Sequence, residues 1–161
     1  TPCQSSAASD VYKRQAHEIL KQFDITSEVW SVTSFNMLRK DGMEIENVNL
    51  KNPSQTPQAS YVEQSFAHEN IPAVAATDYM RAYAEQIRPF VKGTYFTLGT
   101  DGFGRSDSRK KLREYFEVDA NNIAATAAYA LLQDQIIDKK QVGKIYEKLG
   151  INKDKSSPWV Q

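Results

Sequence analysis

Residues 97–119 read TLGTDGFGRSDSRKKLREYFEVD, and the order of residue types within them sets the fold class. Thr97 and Leu98 close a short run from Thr94 whose Tyr, Phe and Thr content is that of a β-strand. Gly99, Gly102 and Gly104 follow, and glycine allows the positive φ and the tight exit that a chain leaving a sheet requires. Residues 107–116 then turn helical, with Ser106 or Asp107 as the expected cap. Strand, glycine loop and helix in succession are the building unit of a layered α/β domain.

The same alternation extends in both directions. Residues 72–76, PAVAA, carry no polar alternation, which suits a strand buried on both faces of a parallel sheet. Thr77 or Asp78 is expected to cap a helix in which Met80, Tyr83, Ala84 and Ile87 recur at core spacing, with Pro89 limiting its end. Residues 28–35, EVWSVTSF, alternate as a third strand. Residues 16–23 place Ile19, Leu20 and Phe23 on one helical face, residues 36–42 read as a helix stopped by Gly42, and residues 61–67 as a short helix. Residues 51–60, KNPSQTPQAS, form a proline-bearing loop. Helices are expected over 119–133 and over 138–149, the latter stopped by Gly150. Strands separated by helices need crossover connections, so the expected fold is a three-layer α/β/α domain around a mostly parallel sheet. Tyr79, Tyr83, Tyr95, Tyr115 and Tyr129 fall at spacings that packing explains.

Composition narrows the function classes. The 161 residues are 40% apolar, with no apolar run long enough to span a bilayer, which fits one domain with a substantial core. Twenty basic residues balance twenty acidic ones, so there is no general electrostatic reason to bind nucleic acid or an anionic membrane. A single cysteine, Cys3, cannot form an intrachain disulfide, and this favours an intracellular, cytoplasmic location. Residues 1–15, TPCQSSAASDVYKRQ, are polar and aperiodic, lack a signal-peptide apolar region, and are similar to translated sequencing adapter. They are expected to be a non-native or disordered leader, with the domain over 16–161.

The glycine loop does not match the nucleotide-binding patterns. Gly102-x-Gly104 is followed by Asp107 where a dinucleotide fingerprint needs its third glycine, and a P-loop needs Gly-Lys-Ser/Thr at a different spacing. Three readings stay open: a purely structural turn, a small-molecule site, or an interface in which Asp101, Arg105, Asp107 and Arg109 pair across a domain or subunit boundary. Elsewhere the chemistry is thin. His17 and His68 are too isolated in sequence for a metal pair, no G-x-S-x-G elbow exposes a serine, and Lys110, Lys111 and Arg113 read as a solvated basic face.

Four ordered blocks carry a resemblance: SVTSF at 31–35, residues 72–91, the loop and helix at 97–119, and FEVDANNIAATAAYALL at 116–132. Together they resemble the transketolase-like C-terminal domain of the homodimeric type of pyruvate dehydrogenase, over roughly residue 16 to the C-terminus. The resemblance implies that a first strand is missing ahead of residue 16 and that the chain is a fragment of a larger subunit. Its partners would be the other domains of that subunit, a second subunit in a homodimer, and the lipoyl acetyltransferase component. The intact enzyme would decarboxylate pyruvate on thiamine diphosphate with Mg2+ and acetylate the lipoyl group, the cofactor being bound by domains absent here. On this reading the chain holds no catalytic, cofactor or metal residue and supports the dimer. Thr100-Asp-Gly followed by Asn121-Asn122 mimics that family's magnesium motif, but the first glycine is replaced and eighteen residues intervene. The alternative is a freestanding α/β module that binds a small anion at the carboxyl edge of its sheet.

Overall fold

The computed structural model describes residues 10–66, 71–102, 104 and 106–156. Its elements in order are α1 (Asp10–Lys21), α2 (Phe35–Lys51), α3 (Tyr61–Ser65), β1 (Ala73–Ala76), α4 (Arg81–Glu85), a 3-10 turn (Arg88–Phe90), β2 (Tyr95–Leu98), α5 (Arg109–Phe116), α6 (Ala120–Gln133) and α7 (Lys139–Leu149). Strands β1 and β2 pair in parallel, with Ala73 opposite Tyr95 and Ala76 opposite Leu98.

Side chains leave a strand alternately to its two faces, and here each face meets a different helical layer. Val74 and Ala76 pack with Ala16 and Leu20 of α1 and with Ala120, Ile123, Ala124 and Ala127 of α6. Ala73, Ala75 and Tyr95 pack on the other side with Phe35, Val62, Ala84, Ile87 and Phe90. The result is the expected α/β/α layering around a parallel sheet. Every residue of β1 is buried, as its uniform Ala and Val content foretells. Small residues on both β1 and α6 let strand and helix approach closely, and the alanine run that packs the core also has the highest helix propensity.

Local signals account for most helix ends. Asp119 accepts a hydrogen bond from the Asn122 amide and caps α6, Asp138 and Gln141 form a capping box at α7, and Gly150 at φ +64° ends α7 in the left-handed region. Ser60 and Glu63 form a second capping box at α3.

Several expectations are corrected. Residues 28–34 join no ladder: Val32 packs on the second core cluster, Trp30 and Val29 keep a little over a third of their surface in solvent, and Phe35 opens α2 behind the cap Ser34. Alternating hydrophobicity shows which side chains could be half-buried, but a strand also needs a neighbour for its backbone. An apolar cavity of about 270 Å3, lined by Trp30, Val32, Phe35, Val62, Phe66 and Ala75 among others, lies between this segment and the sheet.

Gly42 does not stop a helix. It lies inside α2, where a Cβ would come within 2.4 Å of the Phe90 ring, so its role is close packing. The α4 cap is Met80, with no side-chain hydrogen bond, where Thr77 or Asp78 was expected. Helix α1 begins at Asp10, so residues 10–15 of the expected leader are helical, and Tyr12 packs against the first core cluster. The end of the expected 61–67 helix, His68 and Cys3 lie outside the described residues.

Candidate functional site

In parallel α/β sheets the loops at the carboxyl edge are free to carry function, and here the two loops after β1 and β2 are stitched together. The Thr77 amide donates to the Leu98 carbonyl at 3.0 Å, extending the ladder by one residue. Beyond it, the Thr100 amide donates to the Tyr79 carbonyl at 2.9 Å and the Thr100 hydroxyl to the Asp78 carbonyl at 2.9 Å. The Tyr79 amide donates to Thr77 Oγ1 at 3.1 Å. Asp101 accepts from the Arg81 amide through both carboxylate oxygens, at 3.4 and 3.3 Å.

This contact explains Gly99. A Cβ there would lie 2.7 Å from both the Tyr79 carbonyl oxygen and the Arg81 nitrogen, and backbone atoms cannot swing away as a side-chain tip can. Gly102, at φ +114°, then turns the chain.

Two ion pairs lie near these loops, one at the stitch and one beside β2. Arg113 of α5 reaches Asp78 with Nη2 at 3.3 and 3.0 Å and with Nε at 3.4 Å, and its guanidinium lies 4.3 Å from the Tyr12 ring centroid. Only 9% of Arg113 is exposed. Burial works against its charge, but the Asp78 hydrogen bonds and Tyr12 outweigh burial and raise its pKa above the usual range. The second pair joins the end of α4 to the 3-10 turn: Arg88 donates to both Glu85 carboxylate oxygens, Thr97 donates to Glu85, and Arg81 Nε donates to Thr97 Oγ1 at 3.3 Å. Arg88 also donates to the Tyr95 carbonyl at 2.8 Å. The Arg88 hydrogen bond, helped by Thr97 and opposed by desolvation, holds the Glu85 carboxyl below its ordinary value.

The residues singled out from sequence fare differently. Asp101 is at the stitch. Asp107 accepts from the Ser108 amide at 2.7 Å, next to the residue that caps α5; the cap is Ser108, corrected from Ser106 or Asp107. Arg109 is exposed at the start of α5, and Arg105 lies outside the described residues. Arg113 is corrected from a solvated face to a buried ion pair. The available signal was its position three residues before Phe116, on one helical face. Tyr79, Met80 and Tyr83, expected in the core, are exposed, whereas Ala84, Ile87 and Tyr95 are buried as expected.

The arrangement offers structure more than chemistry. The carboxylates of Asp78, Glu85, Asp101 and Asp107 all accept hydrogen bonds from within the chain. His17 Nδ1 and Ser27 Oγ lie 2.8 Å apart, but the nearest carboxylate, Glu18, is 3.9 Å from the ring, and the contact ties α1 to the segment after it. Among the described residues no group of three or more His, Cys, Asp or Glu side chains could hold a metal ion. Asn121 donates to the Leu149 carbonyl and Asn122 to Asp119, so neither is poised with Asp101 as a ligand set. No helix among the described residues is long and apolar enough to cross a membrane.

Comparison with known proteins agrees with the architecture. Residues 11–119 match the family model of the transketolase-like TK C-terminal domain. The chain is 47% identical over 146 residues to the pyruvate dehydrogenase E1 component of Pseudomonas aeruginosa, covering 89% of this chain and 17% of that protein. It is 46% identical over 147 residues to that of Escherichia coli K12, covering 90% and 16%, and 42% identical over 134 residues to that of Mycobacterium tuberculosis, covering 83% and 14%. The chain therefore spans about one sixth of the length of these curated relatives, in their C-terminal region. With an α/β/α core around a parallel sheet and a family match over most of its length, the chain belongs to the transketolase-like C-terminal domain family.

Proposed function

We propose that this chain serves as the C-terminal domain of a cytoplasmic pyruvate dehydrogenase E1 subunit, and that its part in the enzyme is assembly. The observation that carries this reading is the 47% identity over 89% of the chain to a protein of which the match covers only 17%. The intact enzyme would decarboxylate pyruvate and acetylate the lipoyl group of its acetyltransferase partner, as a homodimer. Thiamine diphosphate would supply the carbanion-stabilising chemistry there. Among the described residues, those that mimic the magnesium motif do not fit that cofactor or its metal: Asp101, Asn121 and Asn122 are spent on internal hydrogen bonds at separate places. The cofactor would belong to other parts of the subunit.

The glycine loop, with Asp101, Arg105, Asp107 and Arg109, is assigned to the assembly surface in the same proposal. A freestanding anion-binding module is less well supported, because Asp78 and Asp101 bring carboxylates to the edge where an anion would sit.

A chimera tests the reading. Residues 16–161 replace the matching C-terminal segment of the Pseudomonas aeruginosa E1 component, and pyruvate turnover and cofactor binding are measured beside the isolated chain. The expected result is an active chimera and an isolated chain that gives no calorimetric signal with thiamine diphosphate and Mg2+. A folded but inactive chimera, or a stoichiometric micromolar isotherm for the isolated chain, would overturn it.

A further inference from the structure

We propose that the end of α5 is a binding seat for a primary ammonium group, filled in this chain by Lys155, and that residues 150–156 are thereby a strap that a small alkylammonium ligand displaces. The inference goes beyond the assembly reading and does not depend on it. Helix α5 ends at Glu117, left-handed at φ +59°, and the amides of Glu117 and Val118 both donate to the Arg113 carbonyl. The Glu114 and Tyr115 carbonyls belong to the last turn, where a helix has no further amides to offer. Lys155 supplies the donor from far along the chain, with Nζ 2.6 Å from the Glu114 oxygen and 2.8 Å from the Tyr115 oxygen. Glu117 Oε1 lies 3.5 Å from the same Nζ, and the Tyr115 ring centroid 5.8 Å from it.

Two carbonyls and a carboxylate match the three N–H donors of an ammonium group, and the aromatic face and the negative end of the helix dipole favour its charge. A neighbouring pair shows what an ordinary surface contact looks like. Lys110 and Glu114 approach only to 4.0 Å, with side chains 82% and 55% exposed, whereas those of Lys155 and Glu117 are 25% and 34% exposed. The carbonyls are fixed by the helix, so a ligand meets acceptors that need no ordering.

The strap also covers something. A cavity of about 360 Å3 lies between the end of α5, the start of α6 and the strap, with Glu114, Glu117 and Asp119 in its wall against Lys110 and Lys155. Moving Lys155 aside leaves an acidic opening, which suits a cation whose alkyl chain follows it into the cavity. Lys155 holds the seat as a tethered group, at an effective concentration in the millimolar range, so a free amine above that range competes with it.

Amide NMR and hydrogen exchange of the 161-residue chain test this with two cations, circular dichroism confirming the fold of each variant. The probe n-propylammonium replaces the Lys155 side chain beyond Cβ; tetramethylammonium carries the charge but no N–H donor. Lys155→Met keeps the stem and loses the ammonium, and should speed exchange at Glu117 and Val118 at least about tenfold. Lys155→Ala should do the same, and about 50 mM n-propylammonium should restore it to within about threefold of the parent, while tetramethylammonium should not. Adding Glu117→Gln to Lys155→Ala should weaken n-propylammonium binding about three- to tenfold. In the parent, n-propylammonium should shift the Ile151 and Asp154 resonances as the strap lifts, with Glu117 and Val118 still protected because the seat stays full. Parent-like exchange in Lys155→Met, equal effects of the two cations, or strap resonances that stay put in the parent up to about 0.5 M amine would each overturn the proposal.

Discussion

The two ion pairs around the sheet differ in burial, and that difference separates a structural member from a surface contact. Asp78–Arg113 joins elements far apart in sequence, with the arginine side chain 11% exposed. Glu85–Arg88 joins residues three apart, with side chains 35% and 48% exposed. Distance alone would rank the second pair higher, since its contact is the shorter. Solvent screening and the cost of ordering two long side chains reverse that ranking. Removing one partner of the buried pair leaves a charge without its counterion in a place water barely reaches.

The sharpest way to break this comparison is Asp78→Ala. It should destabilise the domain by about 3 kcal/mol, the low end for a buried pair because Asp78 keeps a third of its side chain in water. Arg113→Met should cost less, because no cation is left behind, and the Asp78→Ala, Arg113→Met double variant should recover part of the loss. Urea unfolding of the three variants gives the coupling directly. If Glu85→Ala proves as costly as Asp78→Ala, burial does not rank these pairs.

A smaller effect, in the same region, is expected at Gly99. Gly99→Ala would set a methyl 2.7 Å from two backbone atoms of the stitched loop, so the loop must shift and strain its hydrogen bonds, at about 1–3 kcal/mol. Gly104→Ala, with nothing within 4 Å of the added Cβ, is the control and should be close to neutral. Amide exchange at Thr100 should speed up in the first variant only, since its donor bond to Tyr79 crosses the contact.

Much of this fold was legible because local chemistry and tertiary role coincide. Residues 73–76 are uniformly small and apolar and lie where both faces of the sheet are covered; Asp119, Asp138 and Gly150 sit at helix ends whose unpaired backbone groups they satisfy or relieve. The failures share a different cause. Residues 28–34 have strand-like alternation without a ladder, Gly42 looks like a stop but clears room for a ring distant in sequence, and Arg113 looks solvated until Asp78 is brought to it. In each case the deciding partner lies elsewhere in the chain, and periodicity holds no record of it. The site was the least legible part: of the residues singled out for their charge, Asp101 bonds to the Arg81 amide twenty positions away, Asp107 stays exposed and bonds only to the next amide, and the exposed tyrosines of α4 and the turn before it have the helical spacing of core residues.

The smallest expected effect concerns the exposed pair and is read by pH. Glu85 is held below its ordinary value by Arg88 first and Thr97 after it, against a desolvation cost. Its folded pKa is thus lower than its unfolded one, near about 4.3, so the unfolded state binds the proton more readily. The stabilisation is complete above the unfolded value and is lost as pH falls through the folded one. With so much of the pair in water the amount is about 0 to 1 kcal/mol. Between pH 7 and pH 3 the parent domain should therefore lose slightly more stability than Glu85→Gln, which cannot titrate but keeps an oxygen for Arg88 and Thr97. Differential scanning calorimetry of both proteins over that range measures the difference. Parallel acid limbs would mean that solvent already screens this pair to nothing, and would widen the gap between it and Asp78–Arg113.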